Sequence, residues 1–521
     1  MSFSAVDYAV FLGYIVFIVA LGLWVSREKK GHQKDSKDYF LASKALPWWA
    51  VGASLIASNI SAEQVIGMSG SGYVIGLGIA SYEWMAALTL VIVGKLFLPI
   101  FLDKQIYTMP QFLEIRYDRR VRTSLAVFWL LVYVFVNLTS VLYLGALALE
   151  TTTGFPLFYG VLGLAAFSAL YSIYGGLKAV AWTDVVQVVV LIGGGLVTSV
   201  LALDAVSGGQ GALAGIGELL RRAPEKFDMV LAPGHPSYRE LPGISVLLGG
   251  MWIANLFYWG CNQYITQRAL AARGLPDAQR GLAFAGYLKI LMPLIVVVPG
   301  IAAFALDAGL TRPDEAYPWL LTRFVPTGLR GLAFAALIAA IVSSLSSMVN
   351  STATIFSMDI YKQIVNREAS EARLVTVGRV GSAVALVVAV AIAPTLRSLQ
   401  QAFQFIQEFT GFVSPGILAI FLFGLFWKRA TSRSALWAAV LTIPLSAGFK
   451  FLLPDLPFLD RMGAVFVILG VLVVIITLLE GKGVHENAIR IDRALFRTGT
   501  VFNVAAVGIV VILAVLYIRF W

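Results

Sequence analysis

Apolar runs of roughly 20 residues, each long enough to cross about 30 Å of hydrocarbon as a helix, recur along the whole chain. They fall near 6–25, 48–75, 79–101, 124–151, 156–173, 179–204, 246–266, 279–306, 331–360, 374–396, 400–426, 433–453, 460–479 and 499–519. Only 13% of the 521 residues are charged and 59% are hydrophobic, whereas soluble domains carry about 25% charged residues. There is too little charge to coat the several soluble domains a chain of this length would form. The fold class that follows is an all-α, multi-pass integral membrane protein with about fourteen transmembrane helices.

The net charge of +10 would raise the question of nucleic acid in a soluble protein. Here it sits in short loops, and membrane topology accounts for it. The first run has acid before it and basic residues after it, the reverse of a cleavable signal peptide. It reads as a retained helix whose N-terminus is outside. On that layout the loops on the cytoplasmic side hold 25 of the 39 Lys and Arg residues and the external side holds 10. This positive-inside bias places both termini outside and predicts no nucleic-acid partner. Two polar external stretches stand between spans: 205–244, with a short helix expected at Ile216–Ala223, and 307–330, with Pro313, Pro318 and Pro326. The single cysteine, Cys261, makes no internal disulfide or metal cluster and reads as a packing residue. No phosphate-binding loop and no His/Cys cluster appears, so neither ATP drive nor a catalytic metal is encoded. No loop is large enough for a catalytic domain, and nothing in the chain reads as an enzyme.

Ionisable groups within spans are costly and usually functional. They are Glu63, Glu83, Lys95, Asp184, Lys289 and Glu408, while all three histidines fall in loops. Span 48–75 is the most unusual, because Ser58, Asn59, Ser61, Glu63 and Gln64 crowd its middle. Such residues compete for backbone hydrogen bonds and weaken a helix. A break at membrane depth frees carbonyls that suit a hard cation, provided it faces protein or a watery cavity. A small-residue packing seam is the alternative. Span 331–360 has Ser343 and Ser344 at its centre, which offer two hydroxyl oxygens to a cation or bond back to their own helix.

Glu83, between Tyr82 and Trp84, joins Asn255, Tyr258, Trp259, Lys289 and Gln407 as carboxylate, amide, amine and ring groups on separate helices. That mixture suits a polar, uncharged polyol. Glu83 and Lys289 also fit a purely structural ion pair.

The chain resembles the sodium:solute symporter family, of the sugar-carrying type, along nearly its whole length. The likeness runs through Asp38-Tyr39-Phe40-Leu41-Ala42, the run from Pro47 to Ala57, Ser81-Tyr82-Glu83-Trp84-Met85, Tyr174-Gly175-Gly176-Leu177 with Trp182-Thr183-Asp184, the run from Gln404 to Glu408, and Ser414-Pro415-Gly416. The resemblance implies a LeuT-like core of two five-helix inverted repeats, 48–204 and 246–426, whose first helices are broken near Asn59–Ser61 and Phe257–Trp259. Residues 1–47 then hold an extra helix and a cytoplasmic loop, 205–245 an external loop, and 427–521 three C-terminal helices.

By matching position, the resemblance implies a sugar site of Gln64, Glu83, Asn255, Lys289, Gln407 and Tyr258. It implies an inner gate of Phe257, Tyr258 and Trp259, with Asn59 bracing Tyr258, and an outer gate of Met68, Tyr82 and Phe403. The coupling ion, Na⁺, would be held by the carbonyls of Ala57, Ile60 and Ala340 and the hydroxyls of Ser343 and Ser344. Asp184 would stand on its inward exit path. Two positions depart from a galactose-carrying member of the family: Ala86 replaces a serine, and Phe257 replaces a tyrosine. The implied activity is Na⁺-driven uptake of galactose or glucose by alternating access in a plasma (bacterial inner) membrane. The alternatives are a symporter for another solute such as myo-inositol, sialic acid or proline, a proton-coupled carrier, and a non-transporting sugar sensor.

Overall fold

The computed structural model describes residues 4–27, 36–398, 402–481 and 483–521. Among these the chain is helical, and its β-type pairing is one isolated backbone bridge between Leu46 and Ala272. The polar positions Gln400 and Gln401 lie outside the described residues.

Among the described residues, ten helices are long and apolar enough to cross a membrane on their own, and a bent pair, Phe403–Thr410 with Ser414–Phe426, makes an eleventh. The three remaining expected spans take other forms. One is the short apolar helix Leu157–Leu170. The other two are interrupted near their middles. Trp48–Asn59 ends at an extended Ile60 (φ −77°, ψ 100°), and the chain re-enters helix through a wide π turn at Glu63–Met68. Gly250–Leu256 widens into a π turn at Phe257–Cys261 and stops at an extended Asn262 (φ −82°, ψ 127°), before Gln263–Leu270 resumes. The break at Ile60 lies where the polar residues predict it. The second lies a few residues beyond Phe257–Trp259, because those three stay wound in the wide turn.

The expected loop at 174–178 contracts to a single kink inside one helical run, Leu157–Val206. Gly176 takes φ 68° there, and a Cβ would sit 2.5 Å from the Tyr39 carbonyl oxygen. Glycine meets both demands because it carries no Cβ. The polar stretches 205–244 and 307–330 hold more helix than the sequence predicts, namely Ala212–Arg222 and Ala316–Phe324.

Burial sorts the spans. The apolar window of Leu329–Val365 is 94% buried, against 17% for Ala5–Val25 and for Thr500–Arg519. Hydrophobic side chains such as Val16, Trp24, Val504 and Val507 point outward on these peripheral helices, which is stable only if lipid covers them. The first helix is nonetheless pinned. Ser4 and Asp7 form a capping box, and Asp7 Oδ1 accepts from the Gly328 and Gly331 amides at 2.8 and 2.9 Å. One carboxylate thereby satisfies free amides at the starts of two helices.

Three arginines assigned to cytoplasmic loops are buried. Arg116 donates to the carbonyls of Gly424, Trp427 and Ala430 at 2.8–3.0 Å, closing the end of helix Ser414–Phe426. Arg122 pairs with Asp359 at 2.6 Å, and Arg268 lies in helix Gln263–Leu270. Polar sequence reads as loop, but each of these charges has a fixed partner inside the protein.

Candidate functional site

The break at Ile60 rewires the backbone around it. In a continuous helix the Ala57 carbonyl would accept from the Ser61 amide. That amide instead donates to Gln64 Oε1 at 3.1 Å, and the Ser61 hydroxyl does so at 3.0 Å. The Ala57 carbonyl is therefore released from the ladder, and Gln64 keeps its amide N–H₂ for other partners. Ser58 O accepts from Ser344 Oγ at 2.9 Å, across helices.

Ser344 thus does not bond back to its own turn, and neither does Ser343, whose hydroxyl donates to Asp184 Oδ1 at 2.5 Å. Ala340 lies one turn before Ser344, so its carbonyl points along the same helix face. Ala57, Ile60, Ala340, Ser343 and Ser344 are all at most 1% exposed. Each hydroxyl spends its hydrogen on a neighbour and retains oxygen lone pairs. The donor set contains oxygen alone, the chemistry of a hard cation.

Asp184 joins this cluster rather than standing apart. Its Oδ2 accepts from Ser54 Oγ at 2.5 Å and Ser58 Oγ at 3.4 Å. Arg268 Nη2 lies 3.7 Å away, and Arg268 donates to Ser58 and Ser347. Arg268 and Asp184 are fully buried. Arg268, Ser54, Ser58 and Ser347 are absent from the sequence-predicted site. The signal was present in the i, i+4 pairs Ser54/Ser58 and Ser343/Ser347, which put two hydroxyls on one face of each helix.

About one turn beyond the break a cavity opens. Gln64, Glu83, Asn255, Tyr258, Lys289 and Gln407 all line it, as do Asn59, Met68, Tyr82, Phe257, Trp259 and Phe403. Residues drawn from more than 300 positions of sequence meet in one chamber. Sequence reasoning missed Ala254, Thr410, Ser414 and Met462, which complete its wall. Three of these four are small, and none carries a charge to mark it out.

Lys289 Nζ donates to Glu83 Oε2 at 2.5 Å and sits 5.2 Å above the Trp259 ring. The pair is buried and also faces the chamber, so the structural and ligand-binding roles are compatible. Asn255 holds its amide by donating to Met251 O at 3.1 Å. Tyr258 accepts from Asn59 Nδ2 at 2.9 Å and from Tyr264 OH at 2.6 Å. Tyr82 and Phe403 pack edge to face at 5.1 Å in the chamber wall, and with Met68 they are buried. Ala86 lines the chamber without a hydroxyl. Of the other ionisable span residues, Lys95 is exposed, Glu63 is buried, and Glu408 pairs with Arg461 and Lys450.

The profile of the sodium:solute symporter family matches residues 39–442. A sodium/glucose cotransporter of Vibrio parahaemolyticus is 53% identical, over 99% of this chain and 98% of its own. A sodium/myo-inositol cotransporter 2 of Oryctolagus cuniculus is 35% identical, over 87% of this chain and 71% of its own. Among solved structures, a substrate-bound, outward-open Na⁺-coupled sialic acid symporter superimposes with a TM-score of 0.80 at 24% identity, covering 92% of this chain and 98% of that one. A nucleobase-cation-symport-1 family transporter in a closed conformation gives 0.58 at 14% identity, covering 86% and 96%. At these identities the two structures speak for the fold alone, which is the LeuT-like one.

Proposed function

From a chain that belongs to the sodium:solute symporter family, a family of membrane carriers and not of enzymes, we propose a symporter that couples inward Na⁺ movement to uptake of a hexose. The observation that carries this reading is the short span of backbone between the two clusters. Ala57 and Ile60 belong to the oxygen-lined break, and Gln64, whose side chain caps that break, lines the chamber.

Na⁺ is held by the carbonyls of Ala57, Ile60 and Ala340 and the hydroxyls of Ser343 and Ser344. It keeps the broken helix in the shape that presents the Gln64 amide to the sugar. Glu83 and Gln64 bond hydroxyls together with Asn255, Lys289 and Gln407, and Tyr258 stacks on the ring. Closure of Met68, Tyr82 and Phe403 seals the outer side. Loss of Na⁺ to the inside, past Asp184, frees Tyr258 from its brace on Asn59 and opens the gate of Phe257, Tyr258 and Trp259. The ion acts through its different affinity for the two states. A potential of about 100 mV contributes roughly 2.3 kcal/mol per charge, enough to sustain a gradient of about 40-fold.

The core is proposed as two inverted repeats, 48–204 and 246–426, flanked by one helix before and three after, about fourteen in all. Both termini are proposed to lie outside a bacterial inner membrane. The low burial of Ala5–Val25, Ser432–Leu452, Phe458–Leu479 and Thr500–Arg519 supports their peripheral place.

The test is uptake of labelled glucose and galactose into proteoliposomes, with Na⁺ or K⁺ outside and a negative-inside potential. Accumulation that requires Na⁺ is the expected result and ranks the two hexoses. Accumulation of myo-inositol in place of either would move the assignment to the substrate in the rabbit relative's name. Uptake driven by a proton gradient without Na⁺, or sugar binding with no uptake, would overturn symport by Na⁺.

A further inference from the structure

Three separate stretches of chain meet in a cavity that shares no residue with the central chamber. Tyr117, Asp118 and Arg120 come from the start of helix Arg119–Leu131. Arg429, Arg433 and Trp437 come from the start of helix Ser432–Leu452, and Glu480, His485 and Glu486 from the stretch after helix Phe458–Leu479. On the proposed layout all three lie on the cytoplasmic side. The last two helices are peripheral, each 28% buried over its apolar window. The end they share therefore lies where protein, lipid and water meet.

The cavity holds charges of both signs apart. Arg120, Arg429 and Arg433 line it together with Glu480 and Glu486, and none of the five has an ion-pair partner among the described residues. The third carboxylate, Asp118, is spent on capping: it accepts from the Arg120 and Val121 amides at 2.8 and 3.0 Å. His485 Nδ1 accepts from the Asn487 amide at 3.1 Å, which marks that nitrogen as unprotonated. Two helices begin here, and their positive ends reinforce the arginines. With three arginines against three carboxylates, the cavity as a whole does not select a polyanion. It suits a ligand that carries a phosphate and an ammonium together.

The surface leading away from it is apolar. Trp437 is 44% exposed, one turn from Arg433, as a ring at a membrane interface would be. On the neighbouring helix Val471, Ile475 and Leu478 face outward at i, i+4 and i+7 and make a stripe. Thr477 Oγ1 donates to Ser434 Oγ at 3.1 Å and ties the two helices together beside the cavity. Acyl chains attached to the phosphate would have this surface to lie on.

We propose that this cavity binds the headgroup of an amine-bearing zwitterionic phospholipid, with its phosphate on Arg120, Arg429 and Arg433 and its ammonium on Glu480 and Glu486. Tyr117 lines the cavity and donates to Ile420 O at 2.9 Å, so the headgroup rests against the bent span that carries Gln407. The site does not depend on which solute the chamber takes.

The test uses full-length protein, delipidated in detergent and titrated with phosphatidylethanolamine, phosphatidylglycerol or phosphatidylcholine of the same acyl chains. Bound lipid is counted by native mass spectrometry. Phosphatidylethanolamine is expected to bind about tenfold tighter than the other two, the worth of one charge-assisted hydrogen bond. Phosphatidylglycerol lacks the ammonium, and the choline ammonium has no N–H to donate. Arg429→Gln with Arg433→Gln should abolish the preference. Glu480→Gln with Glu486→Gln should turn it toward phosphatidylglycerol, a gain that a misfolded variant would not show. Soluble phosphoethanolamine should compete poorly, because it has no chains. Competition as strong as the lipid's own would make the free headgroup the ligand and overturn the lipid assignment. Equal binding of the three lipids, or variants that keep the wild-type order, would overturn the site itself.

Discussion

Around Ser343 and Ser344, the tied polar side chains of Ser54, Ser58, Asp184, Arg268 and Ser347 are shut off from solvent, and their bonds run between helices at short range. Around Glu83, the polar groups converge on empty space, and Asn255 is steadied mainly by its own helix. Both places draw on the same broken helix. The first ties short side chains to one another across helices, an arrangement suited to the proposed small cation. The second leaves amides and rings at the ends of longer side chains, as a ligand with many hydroxyls demands. A rigid site discriminates by size, and a roomier one by its pattern of donors and acceptors.

The contrast can be broken at four points. The largest effect belongs to Arg268. Replacing it by Met leaves Asp184 buried without its counter-charge, a loss of about 3–5 kcal/mol. Thermal unfolding in detergent should show a steep fall, and Asp184→Asn in the same chain should recover much of it. Failure to recover would mean that the arginine acts through packing. Next is Glu83→Gln, which strips the carboxylate from the chamber and orphans Lys289. Sugar affinity should fall by one to two powers of ten while Na⁺ binding persists. If Na⁺ binding fell equally, the two places would not be separable.

Ser344→Ala removes one proposed ion ligand and the tie to Ser58 O. Half-activation by Na⁺ should rise about tenfold, roughly 1.4 kcal/mol, with hexose KM little changed at saturating Na⁺. Unchanged Na⁺ activation would refute the assigned ion site. The smallest effect is expected from Ala86→Ser, which adds one hydroxyl to the chamber wall. It should shift the galactose-to-glucose preference by about 1 kcal/mol, close to fivefold, and competition uptake would read it.

The spans were legible in the sequence because a bilayer-crossing helix needs a long apolar run whatever it packs against. The break at Ile60 was legible because Ser58, Asn59, Ser61 and Gln64 stand together where apolar residues belong. The buried places of Arg116, Arg122 and Arg268 were not, since their partners lie between 84 and 314 residues away along the chain or sit on separate helices. The same holds for Thr410, Ser414 and Met462, which line the chamber through their position and carry no chemical mark. The second interruption was misplaced by a few residues because a π turn keeps its residues helical while displacing the ladder. The chamber's membership came through resemblance, since separate helices carry no spacing rule that links Glu83 to Lys289.

The bond from Asn59 to Tyr258 joins the first broken helix to the second, 199 residues apart. Anyone recombining this chain with a related carrier meets its consequence. A chimaera cut in the polar loop at 205–245 would look harmless on a topology map, yet it would inherit position 59 from one parent and position 258 from the other. Hybrids in which those two side chains still match should keep their stoichiometry. Mismatched hybrids should insert into the bilayer normally and leak, because the first broken helix would no longer brace the second.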